Sequence, residues 1–373
     1  MATDPLPLAQ ALLRCPSVTP ADAGAQDVLA DALEHIGFAV WRLPFGDTPN
    51  LFARRGVAGP HLCFAGHTDV VPPGAGWSHA PFAATVADGV LFGRGACDMK
   101  GAIAAFAAAS ASHPPGPGSI SLLITGDEEG PATDGTVRVL EWMATHGHVP
   151  DLCVVGEPTN PARIGEAMRI GRRGSLTARI EIVGTQGHSA YPERADNPIH
   201  RLVAALGAMT AAPLDAPLDA GSEWFGPSTL QVVDLEVGNG ASNVIPATAR
   251  AVVNVRFNDR HSGSSVTAWL RAALERAAPR HTLDVAVSGE SFLTEPGELV
   301  RAVRDAVARA TGIMPRLDTA GGTSDARFIA KHCPVCEFGL VGRSMHQVDE
   351  AVPVADLSTL RDAYAAMLAA VGC

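Results

Sequence analysis

The chain has 373 residues, 47% hydrophobic and 18% charged, more than one core usually organises at roughly 100–200 residues per domain, so two domains are expected. A net charge of −11 argues against nucleic acid and anionic membrane surfaces as partners, because clustered Lys and Arg hold such ligands by neutralising phosphate. No apolar run approaches the ~20 residues that span a bilayer, and the opening MATDPLPLAQ lacks the basic-then-apolar order of a signal peptide, so a soluble cytoplasmic protein is expected.

In chain order, Ala25 to Ile36 sets Val28, Leu29, Leu33 and Ile36 at helical spacing. HLCFAG follows at 61–66 as a short, continuous apolar run. An Ala-rich helix carrying Ile103 and Phe106 is expected from Met99 to Ser110. SISLLIT comes at 119–125, after the turn tract HPPGPGS, and DLCVVG at 151–156. Such runs between helices suit parallel strands buried on both faces. From about Ser175 the pattern changes. LTARIEIVG alternates apolar and polar residues, and a helix is expected over NPIHRLVAALGAM. Two more alternating runs lie at STLQVVDLEVG and ARAVVNVRFN, then a helix over SVTAWLRAALERA and a strand near HTLDVAVSG. The order β-α-β-β-α-β is the ferredoxin-like split β-α-β arrangement. Sheet-plus-helix patterning resumes near Phe292, with a helix from Leu299 to Ala310 and a last buried run, CPVCEFGL. The fold expected is a large α/β domain built from residues 1–174 and 291–373, its mainly parallel mixed sheet covered by helices on both faces, with a ferredoxin-like α+β domain inserted at 175–290.

Seven cysteines scattered along a long chain fit reduced thiols better than a disulfide framework. Cys333 and Cys336 form a C-x-x-C pair, but their apolar surroundings read as a buried strand rather than a redox or zinc motif.

Polar residues fall at telling places. His67 and Asp69 follow HLCFAG; Asp127, Glu128 and Glu129 follow SISLLIT; Glu157 follows DLCVVG; His346 lies beyond CPVCEFGL. Each sits just past the carboxyl end of an expected strand, where open α/β sheets place their sites. Asp98 joins them from the loop GRGACDMKG, whose glycines permit tight turns. Singly, each residue reads as a turn, a cap or a solvated side chain. Together, two imidazoles and three or four carboxylates on one rim suit borderline divalent metals. A carboxylate bridging two ions would hold them about 3.5–4 Å apart, as in two-metal hydrolases. A serine hydrolase is disfavoured, since no G-x-S-x-G elbow occurs.

The segments GHTDVVPPG, GRGACDMKG, GDEEG, VGEPT, GRRGS, QGHSAYP, SNVIP, GGTSDARF and MHQVDE, in this order, resemble the zinc-dependent M20 family of peptidases and deacylases, a likeness that runs from about residue 5 to the end. The resemblance implies a zinc-peptidase-like large domain holding two Zn2+ ions, for which Co2+ or Mn2+ could substitute, and an inserted domain that forms a homodimer. It implies that His67 and Glu157 complete one metal site, Glu129 and His346 the other, and that Asp98 bridges them. Glu128 would be the general base, and Asp69 would accept the second ring N–H of His67. His188 would come from the partner subunit to stabilise the oxyanion. Arg172, Ser175, Tyr191, Asn243, Arg256, Gly322 and Thr323 match positions that contact substrate, a small N-acyl amino acid, with Arg suited to its carboxylates. Through the form GGTSDARF, the resemblance implies N-succinyl-L,L-diaminopimelate, in lysine and cell-wall precursor biosynthesis, rather than N-acetylornithine as the expected substrate. A catalytically silent amino-acid- or peptide-binding dimer would have lost a ligand or Glu128, and all six positions are present.

Overall fold

The apolar runs form the middle of one sheet. His61–His67, Ser119–Thr125 and Leu152–Val155 are buried along their whole length. Because successive side chains alternate between faces, complete burial means that both faces of these strands are covered. The three pair in parallel, and Val335–Glu337 continues the parallel set beside Leu152–Val155. Leu51–Arg55 and Ala39–Arg42 extend the sheet antiparallel on one side. On the other side, Ala167–Arg169 is antiparallel to Val335–Glu337, and Arg316–Asp318 pairs with it in parallel, giving eight strands.

The computed structural model describes residues 3–210 and 219–373. It divides into two units, one of Met1–Ile170, Thr294–Asp318 and Ser324–Cys373, the other of Gly171–Leu293 and Thr319–Thr323. The eight-stranded sheet belongs to the first. Its helix Gly101–Ser112 is buried at every position from Gly101 to Ser110, and small alanine side chains let Pro5–Leu13 and Val354–Val371 pack against it.

In the second unit the sheet order is Thr229–Val237, Thr248–Phe257, Gly174–Val183, His281–Gly289, every pair antiparallel. Helices Pro198–Thr210 and Gly263–Ala277 complete the β-α-β-β-α-β order. Leu176, Ala178, Ile180 and Ile182 point to one face, where Leu202, Leu206, Leu270 and Leu274 close the core. All seven cysteines are free thiols, and burial pushes Cys336 up to about 12. Among the described residues, no helix is long and apolar enough to cross a membrane.

His61 opens the central strand, buried, with Nε2 2.7 Å from Ser121 Oγ. Burial, assisted by Arg54, pushes its pKa down to about 4. The unfolded chain therefore binds a proton, near pH 6.5, that the folded chain refuses until about pH 4, so stability is present above that window and lost as pH falls through it. Between pH 7 and 5 the loss from this one group is about 2 kcal/mol. Urea unfolding at the two pH values should show that much less acid sensitivity in His61→Gln; an unchanged pH dependence would contradict it.

Candidate metal centre

Strand register sets the rim. His67 is opposite Thr125, Ala65 opposite Val155, and Val155 opposite Glu337, so the parallel strands end nearly level. Residues immediately beyond those ends therefore gather without long reaches. His67 is the last residue of its strand and is buried. Its Nε2 faces Asp98 Oδ1 at 3.3 Å and Glu157 Oε1 at 3.7 Å. On the far side of Asp98, Oδ2 lies 3.3 Å from His346 Nε2, which is 2.9 Å from Glu129 Oε1. Asp98 thus stands between two imidazoles.

Asp98 reaches this position through a kinked turn at Ala96–Lys100, where Asp98 and Met99 leave helical geometry. Gly95, just before it, has φ +88 and a Cβ there would fall 2.8 Å from Val70 Cγ1, so conformation and space both demand glycine. Asp69 stands beside the His67 ring and takes a second task as well. His67 Nδ1 lies 2.9 Å from the Asp69 carbonyl oxygen, while the Asp69 carboxylate is 3.5 Å away. That carboxylate also accepts the backbone N–H groups of Glu128 and Glu129, at 3.2 and 3.0 Å. Both oxygens are thereby committed to the turn that carries the two glutamates. On that turn Glu129 meets His346, whereas the half-buried Glu128 carboxylate has no hydrogen bond or ion pair among the described residues.

The electrostatics are those of an anionic cluster. Burial raises the Glu128 pKa well above the ordinary value, and the charge of Glu157 adds to it. Burial would raise Asp98 too, but the imidazoles of His346 and His67 outweigh it and hold the carboxyl below the usual range. Hydrogen bonds to Asp98 and Glu129 raise His346 to about 10. Neither oxygen of the buried Asp325 carboxylate has a hydrogen-bond partner among the described residues, and its pKa is raised by burial. Asp325 and the flanking pair Arg94 and Glu350 stand inside the motifs GGTSDARF, GRGACDMKG and MHQVDE, yet sequence reasoning gave them no role.

His67, Asp98 and Glu157 offer donor atoms within 4.8 Å of one another, as do Asp98, Glu129 and His346. His67, Glu128 and Glu129 form a third such group, so proximity alone does not set Glu128 apart. Imidazole and carboxylate donors suit zinc and similar divalent ions, and excess buried negative charge favours cations, so the donor set fits a pair of ions sharing Asp98.

The remaining site residues lie in the second unit, in two groups. Gly187–His188 pairs with Val244–Ile245, Ser189 N–H donates to the Asn243 carbonyl at 2.9 Å, and the His188 and Tyr191 rings meet edge to face at 5.7 Å. His188, Tyr191 and Asn243 are all exposed. In the other group, Ser175 is opposite Arg256 across two strands. Arg256 donates to Asn254 Oδ1 and Thr323 Oγ1, both at 3.1 Å, and has no carboxylate partner among the described residues. The buried Arg172 donates to the carbonyls of Ala320 and Gly322 at 3.2 and 2.9 Å, holding the segment Thr319–Thr323.

The sequence model of the peptidase family M20/M25/M40 matches residues 63–370. The chain belongs to that family. As an M20 member it is a hydrolase, and its curated relatives are close. It is 61% identical to a succinyl-diaminopimelate desuccinylase from Granulibacter bethesdensis over 98% of this chain and 97% of that one. Identity to the enzyme of the same name from Acidiphilium cryptum is 59%, covering 98% of each. Among solved structures, the YXEP protein of Bacillus subtilis, described as a dinuclear metal-binding peptidase of the M20 family, superposes with a TM-score of 0.73 at 16% identity, covering 100% of this chain and 99% of that one. The fold is therefore that of M20 peptidases.

Proposed function

We propose that this protein hydrolyses N-succinyl-L,L-diaminopimelate to succinate and L,L-diaminopimelate, in lysine and cell-wall precursor biosynthesis, using two divalent ions. The observation that carries this reading is the meeting of two donor clusters on one shared carboxylate, Asp98, in a chain so similar to desuccinylases. His67, Asp98 and Glu157 would hold one ion, and Asp98, Glu129 and His346 the other. Zinc is the ion proposed, with Co2+ or Mn2+ able to use the same donors. Such a pair supplies polarisation of the amide carbonyl and acidification of water.

Glu128 moves the proton. Its unpartnered carboxylate, raised in pKa by burial and by Glu157, takes a proton from the attacking water and delivers it to the departing amine nitrogen. Asp69 fixes the direction of this work by pinning the Glu128 and Glu129 amides. Chelator-treated protein should regain succinate release as zinc is returned, with full rate near two equivalents per chain; full activity without returned metal would contradict the reading.

The substrate carries three carboxylates, and Arg256 has no acidic partner among the described residues. We assign Arg256, with Ser175, Tyr191, Asn243 and the Gly322–Thr323 backbone, to substrate binding, and Arg172 to the same group through the segment it holds. Charge-assisted hydrogen bonds contribute about 1.5–3 kcal/mol each, so Arg256→Met should lower kcat/KM at least tenfold. Steady-state kinetics check this, and unchanged kinetics would make Arg256 a structural charge.

We further propose a homodimer in which the second unit of one copy supplies His188 to the other copy's metal centre as an oxyanion donor. The exposed His188, Tyr191 and Asn243 cluster, with Tyr191 51% exposed, supports a surface built to meet something outside its own unit. Glu128→Ala and His188→Ala proteins, each inactive, should regain part of the activity when refolded together. No recovery in proven heterodimers would contradict the shared site. The seven free thiols suit a reducing compartment, and we place the reaction in the cytoplasm.

A further inference from the structure

We propose that Glu350 and Arg94 are positioning residues that hold the Asp98 carboxylate and the His346 imidazole in register before any ion arrives. The proposal rests on the two-ion reading above. Strand Ala351–Pro353 lies antiparallel to Val90–Phe92, with Ala351 opposite Phe92, so the residue preceding one strand faces the residues following the other. Gly93 N–H donates to the Glu350 carbonyl at 2.9 Å and closes the pairing. The Glu350 side chain, 0% exposed, then receives four hydrogen bonds. Its Oε2 accepts from Arg94 Nη1 at 2.7 Å and Gly95 N at 3.1 Å, and its Oε1 from Cys97 N at 2.9 Å and Asp98 N at 3.2 Å. An ionised carboxylate has about four acceptor sites, so Glu350 is saturated.

Three of those four donors are backbone N–H groups of the loop that presents Asp98. Such a loop, led by a glycine at φ +88, has many open conformations when untied. A buried anion gathering its amides selects one of them. Arg94, 2% exposed, fixes the anion in turn. Its guanidinium lies over the Trp77 ring at 5.3 Å, and Nη2 reaches the carbonyls of Pro73 at 3.4 Å, Pro72 at 3.5 Å and His346 at 3.5 Å. One buried ion pair therefore touches the loop of Asp98, the backbone of His346 and the turn that follows Asp69. His346 needs such support, since its φ of 62 lies in a region that non-glycine residues seldom adopt. Ligands held in place beforehand bind an ion with less ordering to do, and outer partners of metal ligands are worth roughly 10–100-fold in affinity.

Glu350→Gln keeps the shape of the side chain but turns an N–H towards loop N–H donors. In the folded variant the affinity for the second equivalent of Co2+ should fall by roughly 10–100-fold, with an altered visible spectrum of the bound ion, and kcat should fall while KM is held. Arg94→Lys keeps a cation beside Glu350 and removes the fork that reaches His346; the second Co2+ should bind at least roughly threefold more weakly. Wild-type affinity and spectrum for two Co2+ in either folded variant would overturn the proposal. If neither variant folds, amide exchange in the chelator-treated, unaltered protein decides. Protection of the Gly95, Cys97 and Asp98 amides equal to that of the metal-loaded protein supports the proposal, and exchange at open-loop rates overturns it. Failure of the two-ion reading shows separately, as fewer than two Co2+ bound by the unaltered protein.

Discussion

Glu128→Ala should lower turnover by about 10²–10⁴-fold while the protein keeps the metal that the unaltered protein holds. The magnitude is that of a positioned general acid–base. Metal retention follows from the geometry: the two donor clusters that meet on Asp98 are complete without Glu128. Elemental analysis of dialysed protein, beside kcat, checks both halves. Loss of both metals, or near-normal turnover, would show that Glu128 has been given the wrong task.

Asp98→Ala should give the opposite metal result. Asp98 is the only member common to those two clusters and faces both imidazoles, His67 and His346, each at 3.3 Å. Its loss opens both sites at once, so affinity for both ions should fall by more than the roughly 10–100-fold that losing an outer partner costs. Activity falls with occupancy, and the same elemental analysis reads it. Two metals retained at wild-type affinity would remove Asp98 from the bridging position. The two variants thus separate a proton carrier from a ligand by measurement of metal rather than of rate.

The rim was legible because of how buried parallel strands are written. HLCFAG and SISLLIT are dense in apolar residues and buried along their whole length, so the acidic or imidazole residues that follow them stand out. The second unit was legible for the reverse reason, since its strands alternate and its order is a recurrent one. Short or half-exposed strands gave no period to read: Ala39–Arg42 is exposed at both ends, and Ala167–Arg169 and Arg316–Asp318 are three residues each. The partition of Thr319–Thr323 into the second unit depends on Arg172 and Arg256 reaching across long sequence separations. Arg94 and Glu350 are 256 residues apart, and no local pattern announces that contact. Asp69 shows the finer limit: spacing put it beside His67, but whether its carbonyl or its carboxylate meets the ring is settled by the turn at Glu128 and Glu129.

The most direct measurement is release of free amine by zinc-loaded protein from N-succinyl-L,L-diaminopimelate, run beside N-acetylornithine and N-acylated neutral amino acids at equal concentration. The account predicts that the succinylated substrate is turned over with kcat/KM at least tenfold above every other, since only it offers carboxylates on both sides of the amide to Arg256 and its neighbours. Preference for N-acetylornithine, or binding of all of them without amine release, would contradict it.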